Sequence, residues 1–220
     1  MKYVLVACEE SQEVCKAFRA LGAAAFSCDL QPCSGGHPEW HILDDAFRWL
    51  DGGCFRTMDG KEHFVPAWDL LIAHPPCTYL SNAGARHLYK GHCLNEERYQ
   101  KGLLAAQDFF RFYDAPVPHI CVENPVPSLV FDLPIYSQII QPWQYGHAFT
   151  KRTCLWLRNL PDLISTHVVQ PIATFCPSGS YSRTHEEKFR GIFTKDRAKN
   201  RSKTFSGVAA AMASQWLPLL

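Results

Sequence analysis

The sequence predicts an α/β fold of the Rossmann-like kind, a mainly parallel sheet with helices on both faces, and three stretches predict it. Residues 2–29 read as strand, helix, strand. Residues 69–73, Asp-Leu-Leu-Ile-Ala, form the short apolar run expected of a strand covered on both faces. A long amphipathic helix then joins that run to another apolar strand at 118–122, which reads as a second parallel crossover. With 220 residues, 47% hydrophobic and 20% charged, the chain is sized for one folded core.

The first strand is Lys2 to Cys8, and Ser11 is the expected N-cap of a helix whose Val14, Ala17, Phe18 and Leu21 recur at helical spacing before Gly22 ends it. Ala23 to Cys28 is the second strand, finishing at Asp29. In a Rossmann-like sheet an acid there commonly takes the ribose hydroxyls of a nucleoside cofactor. After a polar loop come Trp40 to Leu43 and then Asp44 and Asp45, which on the residues alone suit a cap for the helix at 46–50. Cys54 to Val65 reads as an edge hairpin turning at Asp59-Gly60.

After the 69–73 strand, Pro75 and Pro76 remove two backbone donors and force a stiff loop that holds Cys77. Arg86 to His92 is polar and contains a glycine, a segment suited to close over a ligand. Asn95 caps the long helix, and Tyr99, Leu103, Ala106, Phe110 and Tyr113 are expected to form its buried face. Pro118 to Val122 is the strand that delivers Glu123-Asn124-Pro125. Cys154 to Leu157 supplies a late strand, and Gly207 to Leu217 an alanine-rich helix.

Ten cysteines are scattered without any Cys-x-x-Cys pair, so reduced thiols are expected. His37, His41 and the His92-Cys93 pair lack partners at finger-like spacing, and no metal is expected. No stretch has the length of a membrane span, and the apolar opening is too short for a signal peptide, which places the protein in the cytoplasm. Between Ser182 and Lys203 eight basic residues face three acids, a net of +5, which leaves the rest of a +1 chain at −4. An acidic body with one basic arm suits nucleic-acid binding; a solvated basic loop is the plainer reading. The sequence is silent on oligomeric state.

Pro76-Cys77, followed after three residues by Ser81 and then, past Asn82, by Ala83-Gly84, resembles the catalytic loop of the DNA cytosine-C5 methyltransferases. Glu123-Asn124-Pro125 resembles the family's Glu-Asn-Val motif in order and location, with proline in place of valine. Tyr145-Gly146 with Lys151 and Arg152 before a strand resembles its Tyr-Gly segment. The resemblance spans nearly the whole chain, but Ala7 to Ser11 holds no glycine where the family has a Phe-x-Gly-x-Gly loop, and the last helix lacks its Gly-Asn.

The resemblance implies an S-adenosylmethionine-dependent methyltransferase fold with DNA as partner. Cys77 is then the nucleophile at C6 of cytosine, Glu123 the group that neutralises N3 given a pKa raised by burial, and Arg152 the contact to O2. S-adenosylmethionine falls to Glu9, Glu10, Ser11, Asp29, Leu30, Asp44, Asp45 and Pro75, although Glu9 and Glu10 also suit the first turn of a helix. Substrate contacts fall to Pro76, Ser81, Asn124 and Lys151 and, on the basic arm, to Arg183, Lys195, Arg197, Lys199 and Arg201. The implied organisation is a catalytic core at 1–157, a reduced recognition region with the arm at 158–203, and a returning helix at 204–220. So small a region implies low sequence specificity. Two alternatives stand beside this: the same chemistry on a free cytidine nucleotide, single-stranded DNA or RNA, and a non-catalytic DNA-binding protein on the same fold.

Overall fold

The computed structural model describes residues 1–174 and 202–220. In chain order the elements are β1 (Tyr3–Ala7), α1 (Glu13–Ala20), β2 (Ala24–Asp29), β3 (His41–Leu43), the hairpin β4 (Gly53–Arg56) and β5 (Glu62–Val65), and β6 (Leu70–Ala73). Then come α2 (Asn82–Ala85), the small hairpin β7 (Tyr89–Lys90) and β8 (Cys93–Leu94), α3 (Glu96–Tyr113) and β9 (His119–Pro125). The chain closes with β10 (Gln138–Ile140), β11 (Phe149–Thr150), β12 (Thr153–Arg158), β13 (Ala173–Thr174) and α4 (Ser206–Trp216).

Seven strands form one sheet in the order β10-β12-β9-β6-β1-β2-β3. β12 runs antiparallel to both its neighbours, and every other pairing in the sheet is parallel. This is the Rossmann-like class predicted from the sequence. The chain steps outward from β1 through β2 to β3, then returns to lay β6 on the other side of β1. The order therefore reverses between β1 and β6, and in such sheets ligands bind outside the carboxyl ends of the strands at that point.

The apolar run of β6 is fully buried because the sheet is covered twice. On one face Val4, Val6, Leu70, Ile72 and Leu155 pack with Val14 and Phe18 of α1 and Val208, Met212 and Trp216 of α4. On the other Leu5, Leu71, Ile120 and Trp156 pack with Ala106, Phe109 and Phe112 of α3. Alternate residues of one strand serve alternate cores.

Two local expectations are corrected. The buried face of α3 is Gly102, Ala106, Phe109 and Phe112, whereas Phe110 is exposed. The helix is turned because the Phe131 ring lies directly over Gly102 and Phe109 meets Trp156 edge-on at 5.0 Å. A stripe through 99, 103, 106 and 110 has helical spacing, and so has one through 102, 106, 109 and 112, so periodicity alone does not separate them. At α1 the N-cap is Gln12, not Ser11, and the helix amides are satisfied from further back. The Glu9 carboxylate accepts from Val14 N at 2.6 Å and Cys15 N at 3.2 Å.

Candidate active site at the carboxyl ends of β1, β6 and β9

The loop after β6 is braced from three sides. Asn124, which is buried, donates from Nδ2 to the Pro75 carbonyl at 3.0 Å, tying the loop to β9. Leu80 to Asn82 run beside Val126 to Ser128, with Ser128 N donating to Leu80 O and Asn82 N to Val126 O. From α3, the Arg98 guanidinium donates to Thr78 O at 3.0 Å and Gly84 O at 3.1 Å while lying over the Tyr79 ring. Ser81 caps α2 by accepting from Gly84 N, and a Cβ on Gly84 would overlap the Thr78 carbonyl oxygen. The Ser-x-Ala-Gly spacing is thus a closed turn, and ahead of it Pro75 is buried, Pro76 exposed and Cys77, which follows them, half-buried.

None of the nine described cysteines is in a disulfide. Burial pushes the Cys8 thiol up to about 12 and Cys154 up to about 11, raises Cys15 and Cys28 further still, and also raises Cys121 well above the ordinary thiol value. These five are packing residues.

β6 and β9 are parallel neighbours in the register Ala73 to Val122. One step further the register sets His74 against Glu123. The His74 Nδ1 and Glu123 Oε2 atoms are 2.9 Å apart, with the side chains only 9% and 14% exposed. Burial alone pushes the Glu123 carboxyl up, but the hydrogen bond and charge of His74, with the charge of Lys151, leave it below the ordinary glutamate value. This reverses the expectation of a carboxyl raised by burial: the strand brings a buried cation with it. Burial lowers His74, yet the bond to Glu123 and the charges of Glu123 and Glu9 raise it overall. Its Nε2 is buried and has no hydrogen-bond partner among the described residues. Nothing in the motif pattern marked His74; the signal was the shared phase of two adjacent parallel strands.

Glu9, at the carboxyl end of β1, is buried, and its carboxyl is pushed up to about 7, chiefly by burial, against the pull of His74 and the two amides it caps. Glu10 and Ser11 are buried beside it. The loop after β2 presses on this turn: Ser34 N donates to Glu10 O, and a Cβ on Gly35 would overlap Ser11 O and the Gln12 side chain. Asp29 lies half-buried at the end of β2, accepting from Gln31 N, and burial raises its carboxyl. Leu30 beside it is 77% exposed. Asp45 caps the short helix at 46–48 by accepting from Phe47 N, and Asp44 pairs with Arg48 at 3.1 Å, so the capping reading holds for Asp45.

A nucleoside fits this end of the sheet, since an acid at the end of β2 stands next to an apolar side chain left in solvent. The methionine part of S-adenosylmethionine fits less directly, because Glu9 already fills the N-terminus of α1. Lys151 and Arg152 precede β12, and their charges differ in reach: that of Lys151 acts on both His74 and Glu123, whereas Arg152 is exposed. Arg183, Lys195, Arg197, Lys199 and Arg201 lie outside the described residues. Among the described residues no group of three or more His, Cys, Asp or Glu side chains could hold a metal ion, and no helix is long and apolar enough to cross a membrane.

Fold and site together define a doubly wound α/β protein with a loop-held thiol and a buried carboxyl–imidazole pair on neighbouring strand ends. No family model matches the sequence, and no curated protein is similar to it. Among solved structures the chain is similar to a DNA modification methyltransferase encoded within an E. coli prophage, at 11% identity and a TM-score of 0.43, over 77% of this chain and 52% of that one. It is also similar to the methyltransferase EhMeth of Entamoeba histolytica, at 16% identity and a TM-score of 0.41, over 77% and 58%. A third is a DNMT2 variant of Spodoptera frugiperda, at 11% identity and a TM-score of 0.37, over 77% and 55%. The chain spans little more than half the length of each. These are distant likenesses, and the assignment to the doubly wound class rests on the strand order itself.

Proposed function

We propose that the protein transfers a methyl group from S-adenosylmethionine to C5 of cytosine in DNA through a covalent adduct between Cys77 and C6. The observation that carries this reading is the meeting of two separate motifs. The Pro-Pro-Cys loop and Glu123 leave adjacent parallel strands, and Asn124 of the second motif is hydrogen-bonded to Pro75 of the first.

C5 of a cytosine is a poor nucleophile until a thiolate adds at C6, and that addition requires the charge growing at N3 to be met by a proton or a strong hydrogen bond. Cys77 provides the thiolate on a loop whose three braces fix its height above the sheet, and positioning of this kind is a major source of rate. Glu123 provides the group that meets N3. Lys151, whose charge reaches the pair, is a better placed cation for the pyrimidine than Arg152. Asp29, Leu30 and Asp44 are the residues to hold the adenosine, and S-adenosylmethionine, when bound, supplies an electrophilic methyl. The basic arm around Lys195 to Arg201 holds the nucleic acid by its phosphates, with little reading of sequence. The reaction belongs to the cytoplasm.

The test uses duplex and single-stranded oligonucleotides carrying 5-fluorocytosine, incubated with S-adenosylmethionine. Fluorine at C5 blocks release of the thiol, so a stable adduct is expected with the wild-type chain, persisting in Cys93→Ser and absent in Cys77→Ser. An adduct that survives Cys77→Ser removes the mechanism. Trapping on a free nucleotide or RNA, with none on DNA, moves the same chemistry to that substrate.

A further inference from the structure

We propose that His74 is the positioning residue of this site, holding on Nδ1 the proton that Glu123 delivers to N3 of the target pyrimidine. The inference rests on the reading of Glu123 given above and adds the source of its proton.

The geometry carries it. His74 follows the last residue of β6, and the β6–β9 register carries it to Glu123, where Nδ1 meets Oε2 at 2.9 Å. Both side chains are largely buried, at 9% and 14% exposed, which restricts their exchange of protons with solvent. Glu123 with an ordinary carboxyl pKa or lower holds no proton of its own at neutral pH, and His74 is the donor bonded to it. The charged groups acting on His74 come from three directions: Glu123 on β9 and Glu9 after β1 favour the imidazolium, and Lys151 before β12 opposes it. Its second nitrogen has no hydrogen-bond partner among the described residues. An imidazolium with one buried N–H unsatisfied is held less firmly than one bonded at both ends, which leaves it ready to give its proton up.

When the Cys77 thiolate adds at C6, negative charge grows at N3. The Nδ1–H bond of His74 breaks as an O–H bond forms on Glu123, and that O–H bond breaks as N3–H forms. The imidazole is left neutral and the carboxylate ionised, and the reverse transfer restores the imidazolium when Cys77 departs. A plain structural ion pair between β6 and β9 is the competing account, and it needs only a hydrogen bond.

His74→Asn separates the two, because asparagine keeps an N–H donor near the Nδ1 position but cannot store a proton. Single-turnover methyl transfer to a cytosine oligonucleotide at saturating S-adenosylmethionine is to be followed from pH 5.5 to 9. Wild-type activity should fall at high pH as His74 deprotonates. His74→Asn should be slower by about 10²-fold or more, the scale of general acid–base effects, with unchanged oligonucleotide affinity and no high-pH limb. A variant as fast as wild type with the limb intact overturns the proposal and leaves the methyl-transfer reading standing. A wild-type protein that modifies no cytosine in DNA, RNA or nucleotide overturns both. Should His74→Asn not fold, the wild-type imidazole decides by ¹⁵N NMR titration: a His74 that titrates below the ordinary value of 6.5 overturns the proposal, and one above it agrees.

Discussion

Replacing Asn124 with alanine tests whether the Pro-Pro-Cys loop is held by β9. Asn124 is 2% exposed, and its Nδ2 donates to Pro75 O at 3.0 Å. The residue after that carbonyl is another proline, so the loop has no amide at 75 or 76 with which to rearrange its own bonding. Alanine removes the donor and strands a buried carbonyl, which costs about 1–3 kcal/mol. A loss near 2 kcal/mol shifts the folding equilibrium by up to about 30-fold. Urea unfolding reads it as a lower midpoint with an unchanged m-value. Native-state alkylation of Cys77, followed by peptide mapping, should also accelerate as the loop loosens. Asn124→Asp gives the sign control: an ionised carboxylate repels the carbonyl, whereas a protonated one donates to it, so its deficit should shrink as pH falls. An alanine variant within about 0.5 kcal/mol of wild type, the range of ordinary surface changes, refutes the tether.

Gly84→Ala should destabilise by about 1–3 kcal/mol, the cost of overpacking, because its Cβ meets backbone at Thr78 rather than a side chain that can swing away; equal or greater stability in urea contradicts the closed turn. Glu9→Ala should cost about 0.5–2 kcal/mol at pH 5 through loss of the α1 cap, read by urea unfolding. The Glu9 carboxyl sits near 7 in the fold against an ordinary 4.5, so the folded chain binds the extra proton between those values and loses that advantage as pH rises. The deficit of the alanine variant should therefore narrow from pH 5 to pH 8, and a deficit that grows over that range refutes the buried, raised carboxyl.

How much of this was legible in the sequence differs by physical cause. The βαβ opening, the doubly buried 70–73 strand, the Asp59-Gly60 hairpin and the Asn95 cap depend on local pattern and are all present. The rotation of α3 was not, because it depends on which ring, Phe131 or another, lands on Gly102. The Cys77 loop and the Glu123 strand end could be paired because a strand, one helix and a strand make neighbours. Their electrostatics could not, since the lowered Glu123 carboxyl depends on His74, which carries no motif and becomes visible only when two strands are laid in register.

The turn after β1 shows how a chain without glycine holds a left-handed turn. The chain there has no glycine, yet Cys8 and Gln12 both adopt the left-handed backbone, at φ 59 each, which ordinary side chains reach only at a cost of about 1–2 kcal/mol. Compensation is built in on both sides. Glu9 satisfies two amides of α1, and Gln12, fully buried, donates to Ser27 Oγ and His37 O while accepting from His37 N. Gly35, in the opposite loop, allows the close approach to Ser11 O and the Gln12 side chain. The positive end of α1 is thereby spent on a carboxylate of the chain itself. That helix end is then closed to an anionic group of a ligand, and the Glu9 carboxyl, pushed up to about 7, lies within electrostatic reach of His74 and so of its pair with Glu123.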